Sequence, residues 1–564
     1  MSPLKRFFSL IQTERKEITL IYLYALFSGL IYLILPLGIQ AVTSIIMSGQ
    51  LTTSWTVLMI MVIIGTLFSG LIQVFQLSII ESLQQRLFVR SAFEFSYRMV
   101  NVQKQMLRKF YAPELMNRFF DVIQIQKGLA KILIDLSSSS LQIIFGLLLL
   151  SFYHPMFIFL GLILVVVLVL IFRILGPRGL SASLKESKYK YEVVLWLEEL
   201  ARVNDTFKLA GNTDLPLNRT DEYVNNYLKA RKAHFKILVW QYAAIIFFKT
   251  VIIASLLIAG SILVVNNELN LGQFIAAEIL IIMVMQSAEK VVLSLEAVYD
   301  VVTAVEKVGS VMDLDLERSS GQKLMQEPET GMKLELRELS VFNPERNKYS
   351  LHNITLTIQP SEKICITGAN HSGKSTLLQA IAGLYCDYEG SIIYNDTPLS
   401  QLNIPSLRDH IGDNLSLEDL FYGSVYDNIT LGKSDCDPHR LNAIIEKTGL
   451  REFIMESPDG LDRKILPGGK NLPKSIVRKI MLARSLAMKK ELLIIEDLML
   501  HLNKAERENM MELFLGKDNK GTVIITSNDP SIAALCDRVI VLEKGEVAAQ
   551  DTYQNLKSRT DLFE

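Results

Sequence analysis

The sequence is poor in cysteine and has no excess of basic charge, and both shortages narrow the class of protein. The cysteines show no CxxC spacing and no nearby histidine cluster, so neither a zinc site nor a disulfide framework is expected, and a reducing cytosol fits them. With 58 Lys and Arg against 59 Asp and Glu, the formal net charge is -1, so nucleic acid is not an expected partner. The four cysteines all fall in the C-terminal half: Cys365, Cys386, Cys436 and Cys536.

Lysine and arginine are absent from three short loops, at 47–53, 151–155 and 266–270. These loops separate apolar stretches that are long enough to cross a bilayer as helices. The stretches predict six membrane spans, at 18–46, 54–80, 133–152, 156–175, 238–265 and 271–293. Residues 1–17 are charged and the first apolar stretch is too long for a signal peptide, so we expect it to remain as a membrane anchor.

The two long loops, 81–132 and 173–236, are by contrast rich in lysine and arginine. The positive-inside rule therefore predicts that both long loops and both termini lie in the cytosol. Apolar residues recur at helical spacing in these loops, which indicates that the membrane helices continue into the cytosol. We expect the helices to turn at tips near 111–120 and 211–219, which would suit mechanical coupling or merely cap the bundle.

Two ionisable side chains lie inside the last two predicted spans. Lys249 and Glu278 would each cost about 2.5–3.5 kcal/mol or more at the centre of a bilayer, so each should face water or a partner. Two interpretations stay open: a polar translocation pathway, or a structural ion pair between the two helices.

The C-terminal half contains one intact phosphate-binding motif. It has the pattern G-x4-G-K-S between a β-rich run at 363–367 and a helical stretch, which is the context that a P-loop requires. Its backbone N–H groups and the following helix would hold phosphates, Lys374 would reach the β- and γ-phosphates, and Ser375 would hold Mg²⁺. The motif comprises Gly368, Ala369, Asn370, His371, Ser372, Gly373, Lys374, Ser375 and Thr376.

Six spans, two long cytosolic loops and a C-terminal P-loop domain together resemble the half-transporters of the ABC exporters, most closely the bacterial type I peptide and protein exporters. Further segments at 407–412, 420–429, 480–486 and 539–547 are similar to this family. The resemblance implies an all-α six-helix transmembrane domain at 1–304, a linker at 305–330 and an α/β P-loop NTPase domain at 331–564.

The same resemblance implies the cofactors and partners. ATP and Mg²⁺ are the expected cofactors, and membrane lipid surrounds the spans. One chain supplies only six spans, so it should pair with a second copy or with a different half-transporter. A periplasmic adaptor and an outer-membrane channel are further candidate partners.

Several positions depart from the family pattern around the γ-phosphate. Ser416 stands where the family has a magnesium-sensing glutamine, and Ser527 stands at the switch histidine. Glu496 and Asp497 reverse the usual order, so Asp497 is a shortened candidate for the general base and Glu496 a lengthened magnesium ligand. Because misplacement by about 1 Å can cost about 100-fold in rate, weak hydrolysis is expected.

The remaining departures affect the signature motif and the adenine platform. Leu472 and Ser475 are remnants of the signature, whose glycines are replaced, so close approach to a partner's phosphate is sterically disfavoured. Asn343 occupies the aromatic platform position, for which Phe342 or Tyr349 would substitute.

These patterns predict the ATP-binding and permease subunit of an ABC-type transporter whose hydrolysis is weak or lost. The cargo would be a peptide, a protein or a lipophilic molecule. The alternative is a non-hydrolysing, nucleotide-gated channel, receptor or assembly scaffold of the same architecture. A soluble P-loop enzyme with an unrelated membrane anchor is disfavoured by the strict charge alternation of the loops.

Overall fold

The computed structural model describes most of the chain as two compact units. The first unit comprises Met1–Val100 and Phe110–Leu314, and the second comprises Asn101–Lys109 and Asp315–Glu564. The described residues are 3, 5–7, 12, 14–47, 53–107, 110–324, 331–415, 419–434, 436–496 and 504–557.

Six long apolar helical segments make up the first unit, which confirms the six predicted spans. Every segment continues well past its predicted apolar stretch, or begins before it, as expected for helices that extend beyond a bilayer of about 30 Å. The segments are Arg15–Met47, Thr53–Asn101, Ala112–Ser151, Pro155–Arg202, Leu215–Val265 and Leu271–Met312.

Several of these segments are interrupted for reasons that the sequence explains. The first is divided into Arg15–Ile31 and Ile34–Met47, because Pro36 has no N–H for the helical bond to the preceding turn. The third contains a π-helical turn, which is common at sites where helices adjust their packing. It consists of Ala112–Asn117, Phe120–Lys131, the π-turn Ile132–Leu136 and Ser137–Ser151.

The turn between the third and fourth spans is as short as predicted, but its proline begins a helix. Pro155 is the first residue of Pro155–Arg202, where the missing N–H costs no helical bond. The His154 side chain caps this helix by accepting a hydrogen bond from the Met156 N–H at 3.2 Å. The last span begins with a capping box between Asn270 and Gln273.

The tips of the two long loops begin earlier in the chain than the predicted 111–120 and 211–219. At the first, the second span runs to Asn101 and the short helix Lys104–Leu107 follows. At the second, the short helix Asn204–Leu209 precedes the fifth span, which begins at Leu215. The proline and glycine residues used for the prediction lie where the chain leaves each tip. They do not mark where the preceding long helix ends.

The last span continues to Met312, so the expected domain boundary at 304 falls inside a helix. Residues 315–324 belong to the second unit and are hydrogen-bonded to it. The Glu317 N–H donates to the Asn101 carbonyl at 2.7 Å, and the Glu317 carboxylate holds Arg408. Gln322 forms a bridge with Leu402.

The second unit is an α/β domain, as the sequence predicts, and its described residues form three sheets. A mixed six-stranded sheet has the order β12-β11-β3-β10-β9-β6, a four-stranded antiparallel sheet has the order β2-β1-β4-β5, and β7 pairs with β8. The strands are β1 Leu334–Asn343, β2 Lys348–Ile358, β3 Lys363–Thr367, β4 Glu389–Tyr394, β5 Thr397–Pro398, β6 Ile411–Asn414, β7 Gly423–Ser424, β8 Lys464–Ile465, β9 Leu492–Glu496, β10 Thr522–Thr526, β11 Arg538–Glu543 and β12 Glu546–Asp551.

Helices cover this domain between the strands. The two that matter most for the site are Lys374–Ile381, which follows the P-loop, and Lys474–Ala487, called here the signature helix. The others are Ile404–Asp409, Val425–Thr430, Pro438–Lys447, Arg451–Met455, Lys504–Leu515, Pro530–Ala533 and Tyr553–Leu556, with 3-10 turns at Leu399–Gln401, Gly460–Asp462 and Pro467–Gly469.

The six-stranded sheet separates two hydrophobic cores. Successive side chains of a strand point to opposite faces, so Ile364 and Ile366 join one core while Cys365 joins the other. Strand β9 divides in the same way, with Leu492 and Ile494 on one face. Strands buried on both faces read as continuous apolar runs, which explains why the sequence marks them clearly.

Candidate functional site

The candidate site lies at one edge of the six-stranded sheet, where parallel strands end together. Register pairs bring Thr526 of β10 beside Glu496 of β9, and Asn414 of β6 beside Ile495. The P-loop follows β3, which pairs with β10. Ligands of open α/β sheets bind at the carboxyl ends of the strands, so the topology assembles these distant residues at one edge.

Two glycines make the phosphate cradle possible. Gly368 has φ +142° and Gly373 has φ +106°, backbone conformations that L-residues rarely adopt. A Cβ added at Gly368 would lie 2.2 Å from the Leu542 carbonyl oxygen, and one at Gly373 would lie 2.8 Å from the Ser350 carbonyl oxygen. The loop therefore keeps its backbone close to neighbouring strands, as the predicted cradle requires.

The side chains of the loop are arranged for an anion. The Lys374 ammonium donates to the carbonyls of Gly368 at 2.5 Å and Ala369 at 3.0 Å, which holds the cation over the loop itself. Ser372 is buried, and its hydroxyl has no hydrogen-bond partner in the described part of the chain. A buried polar atom without a partner is costly, so this hydroxyl fits a ligand that accepts or donates inside the cradle.

Of the remaining loop residues, Asn370 and His371 are exposed, and His371 has φ +68°. Thr376 is half-buried in the first turn of the helix Lys374–Ile381. The N-terminus of this helix points its free N–H groups at the cradle and adds a favourable dipole for phosphate.

Two oxygen ligands suited to Mg²⁺ meet beside the cradle. The Ser375 hydroxyl donates to the Glu496 carboxylate, which is 6% exposed at the end of β9. Magnesium in nucleotide sites uses one or two protein oxygens together with phosphates and waters, so this pair fits the ion. Within the described residues no group of three or more His, Cys, Asp or Glu side chains forms a metal site.

Two residues of the predicted catalytic set lie outside the described residues. These are Asp497, the candidate general base, and Ser416, at the magnesium-sensing position.

At the switch position the structure separates two neighbouring polar residues. Ser527 is bound into the end of the sheet: its N–H donates to the Ile366 carbonyl at 3.1 Å and its hydroxyl accepts from the Asp529 N–H at 3.0 Å. The side chain that reaches the P-loop is Asn528, whose amide oxygen accepts from the Thr367 hydroxyl at 3.0 Å and the Gly368 N–H at 3.4 Å. The family pattern pointed to Ser527, and the sequence analysis missed the neighbouring polar residue Asn528.

The two candidate aromatic platforms lie side by side on strands β1 and β2. Phe342 and Tyr349 are paired in register and their rings contact edge to face, with centroids 5.4 Å apart. Both remain exposed, at 45% and 40%. Tyr349 precedes Ser350, whose carbonyl faces Gly373 of the cradle, so this pair lies next to the phosphate loop.

The side chains of Tyr349 and Asn343 have different hydrogen-bond partners. The Tyr349 hydroxyl donates to Glu389 at 3.2 Å, and the nearby carboxylate raises the pKa of the phenol. Asn343 instead uses its side chain in the β1–β2 turn, where it accepts from the Glu345 N–H at 3.0 Å.

The signature remnant forms the entry to the signature helix. Pro473 is the residue before this helix and provides no side-chain cap, and Leu472 packs partly into the neighbouring core. Ser475 lies in the first turn, half-buried, and makes no side-chain hydrogen bond within the described ranges. Lys474 and Ser475 thus occupy the first turn of the helix, where glycines would allow a phosphate to approach the backbone closely.

In the membrane unit Lys249 and Glu278 do not form an ion pair, which was one of the two interpretations of these residues. The Lys249 ammonium instead lies 2.9 Å from a carboxylate oxygen of Glu289, which also accepts from the Tyr242 hydroxyl at 3.2 Å. Glu278 is half-buried and has no hydrogen bond or ion pair among the described residues. Glu278 precedes Glu289 on the last span, and at 1.5 Å per residue the two are about 16 Å apart along the helix axis. Glu278 therefore cannot reach Lys249.

Fold and site together define a P-loop nucleotide-binding domain fused to a six-span membrane domain. Residues 18–288 match the family described as the ABC transporter transmembrane region, and residues 351–498 match the family described as ABC transporter. The chain therefore belongs to the ABC transporters, with both of their characteristic regions in one polypeptide.

Relatives with curated descriptions are distant. A protein of Rickettsia typhi named as an export ATP-binding/permease protein is 24% identical over 343 residues, covering 60% of this chain and 58% of that protein. An ATP-dependent lipid A-core flippase of Saccharophagus degradans is 26% identical over 261 residues, covering 46% and 44%. The chain thus aligns with about half of the length of these relatives.

A solved structure is similar over almost the whole chain. It is described as a bacterial Atm1-family ABC exporter with ATP bound, and it matches with a TM-score of 0.86 at 16% identity. The match covers 97% of this chain and 98% of that one. At this identity the likeness establishes the exporter fold.

Proposed function

We propose that this chain is the ATP-binding and permease subunit of an ABC exporter in which ATP binding, more than hydrolysis, drives the membrane helices. The observation that carries this proposal is the intact cradle at 368–376 beside the Ser375–Glu496 pair, in a chain with six membrane spans. A phosphate chain held there would gain the loop N–H groups, the helix dipole and the Lys374 ammonium.

The residues of this chain would share the work of nucleotide binding. Backbone N–H groups of the loop would hold phosphate oxygens, and the Lys374 ammonium would donate to phosphate in place of the loop carbonyls. Ser375 and Glu496 would hold Mg²⁺, which would neutralise phosphate charge. Asp497 is the candidate for activating water, and its shorter side chain favours slow turnover.

Assembly requires a second half-transporter, because one chain contributes six spans and one nucleotide face. Each composite site would combine the cradle of one chain with the signature helix of its partner. In a homodimer both signature faces carry Pro473 and Ser475, which favours ATP-dependent closure with little hydrolysis. A heterodimer with a different half-transporter is the other arrangement, and a periplasmic adaptor and outer-membrane channel would be additional partners.

The cargo that we favour is amphipathic, with a lipid or a peptide as its chemical class. The spans are strongly apolar, and their few charged positions include Lys249, paired with Glu289, and Glu278. A charged head group could exchange with this pair, while Glu278 would face the pathway as a separate acidic position. The lipid A-core flippases among the relatives are consistent with a lipid-like cargo.

Transport is tested by reconstituting the protein in liposomes that contain head-group-labelled lipid and measuring ATP-dependent translocation between leaflets. We expect translocation with ATP, and none with the Lys374→Ala variant as the matched control. Equal translocation by wild type and Lys374→Ala would refute nucleotide-driven transport. The Lys249→Met variant separates the pathway role from a structural role, because a pathway lysine changes translocation without changing ATP affinity.

Specific observations also favour a second candidate function, a nucleotide-gated channel, receptor or scaffold. Ser527 is engaged in the sheet end, and the signature helix begins after a proline with no capping side chain. Both features weaken γ-phosphate chemistry while leaving the cradle intact. This candidate predicts ATP-dependent conformational change with no cargo movement in the same liposome assay.

The proposed orientation places both termini and both long loops in the cytosol of a bacterial inner membrane. The clusters of lysine and arginine in 81–132 and 173–236 support it. Single cysteines introduced at exposed tip positions, such as Asp214, should react with an impermeant maleimide only in inverted vesicles. Reaction in intact spheroplasts would contradict the orientation.

A further inference from the structure

An arginine of the signature helix reaches the edge of the sheet where the magnesium ligands lie. One nitrogen of the Arg478 guanidinium donates to the Glu496 backbone carbonyl at 2.7 Å, and another donates to the Asn414 amide oxygen at 3.2 Å. These acceptors are the last residues of two adjacent parallel strands, β9 and β6. Arg478 therefore ties the signature helix to both strand ends at once.

The contact with Arg478 explains why a polar side chain is buried at Asn414. It is fully buried, and its amide nitrogen has no hydrogen-bond partner among the residues that the structure describes. An amide that leaves a buried donor unsatisfied costs free energy, which a leucine at that position would avoid. The oxygen bonded to Arg478 accounts for an amide at the end of a strand whose other buried residues, Ile411 and Gly412, carry no polar side chain.

Glu496 connects the arginine to the cradle. Its backbone carbonyl is held by Arg478, while its carboxylate accepts the Ser375 hydroxyl. A hydrogen bond to the Glu496 carbonyl restrains the backbone at the Cα atom that carries the side chain. It therefore limits where the carboxylate can lie. The planar, always charged guanidinium suits this task, since it presents two donors in a fixed fork.

We propose that Arg478 is a positioning residue that orients Glu496 for Mg²⁺, so that the metal-dependent part of nucleotide affinity depends on it. Residues that orient a metal ligand typically change metal affinity about 10- to 100-fold when they are removed. This inference rests on the proposed nucleotide binding, and it concerns only the contribution of the metal. It assigns a role in the chain's own site to a helix whose other proposed role is to complete the partner's site.

The experiment compares the affinity of a non-hydrolysable ATP analogue with Mg²⁺ in excess and with EDTA, using the full-length protein in lipid nanodiscs. For Arg478→Ala we expect the affinity with Mg²⁺ to fall about 10- to 100-fold, while the affinity in EDTA stays within about twofold. Arg478→Lys keeps the charge but loses the two donors in fixed geometry, so its affinity with Mg²⁺ should lie between those of wild type and Arg478→Ala. Asn414→Leu removes one arm and should give a smaller loss, again only with Mg²⁺.

The neighbouring Lys479→Ala is the matched control, because Lys479 lies on the same helix and pairs with Glu506 instead. It should leave both affinities within about twofold of wild type. Equal losses for Arg478→Ala with Mg²⁺ and with EDTA, or no loss in either condition, would overturn the positioning role. If wild type itself binds the analogue in neither condition, the proposed function fails, whereas a normal wild type with unaffected variants refutes only this inference.

Discussion

The nucleotide-binding domain has two faces, the phosphate cradle and the signature helix, and they fit the ABC family pattern to different degrees. The cradle face keeps every residue of its motif, with both glycines in conformations that only glycine adopts easily. At the signature face the helix Lys474–Ala487 follows Pro473, and the sequence predicts that Lys474 and Ser475 replace the two glycines of the family motif. We therefore propose that the phosphate cradle is retained while the surface that would complete the partner's site is altered.

The difference indicates which step of an exporter cycle the chain can still support. Binding needs the cradle, its lysine and a magnesium ligand, all of which converge at one sheet edge. Rapid hydrolysis also needs a precisely placed base and a partner's signature, and small displacements there are expensive in rate. Four substitutions test this division, and their expected effects decrease in order.

Replacing Lys374 by alanine should have the largest effect. Charge-assisted hydrogen bonds contribute about 1.5–3 kcal/mol each, so the loss of contacts to two phosphates should weaken ATP affinity about 100-fold or more. Isothermal titration calorimetry on the nanodisc sample measures this directly. The exposed Lys447 provides the control, and a loss of less than about threefold for Lys374→Ala would place the nucleotide elsewhere.

Removing the aromatic ring of Tyr349 should have the next largest effect. Stacking of a base on an aromatic side chain contributes about 1–3 kcal/mol, so Tyr349→Ala should weaken ATP affinity about tenfold. Tyr349→Phe retains the ring and should bind ATP normally. A larger loss for Phe342→Ala than for Tyr349→Ala would assign the platform to the other ring of the pair.

A smaller effect is expected for Asn528. Its amide oxygen holds the Gly368 N–H and the Thr367 hydroxyl, and neutral hydrogen bonds contribute about 0.5–1.5 kcal/mol each. Asn528→Ala should therefore weaken ATP binding about three- to tenfold, measured by the same titration. Ser527→Ala should change it less, and the reverse order would restore the switch role to Ser527.

The smallest effect is expected on the signature face. Ser475 makes no side-chain hydrogen bond among the described residues, so Ser475→Ala should leave ATP affinity and steady-state turnover within about twofold. A tenfold fall in turnover would mean that the remnant still acts on the partner's phosphate. In that case the two faces would differ less than the sequence suggests.

Much of the fold could be predicted because its signals are local. Apolar stretches and loop charge predicted the six spans, and the G-x4-G-K-S pattern between strand and helix predicted the cradle. The contacts between distant segments could not be predicted in the same way. The partner of Lys249 is Glu289, on another helix, and nothing in the sequence near Lys249 indicates which acidic residue of that helix it meets.

Residues at strand ends were the hardest to assign. A shift of one residue reverses the direction of a side chain, so Ser527 and Asn528 could not be distinguished by alignment alone. The fork of Arg478 joins residues from three separate segments, which only the assembled sheet brings together. The roles of Asp497 and Ser416, outside the described residues, stay predictions.

The most direct test of the account measures ATP affinity and steady-state phosphate release on one nanodisc preparation of the protein. We predict saturable ATP binding that requires Lys374, with turnover below about one per second, the low end of ordinary enzyme rates. Turnover at or above that rate would contradict the division between the two faces, and the absence of ATP binding would contradict the account as a whole.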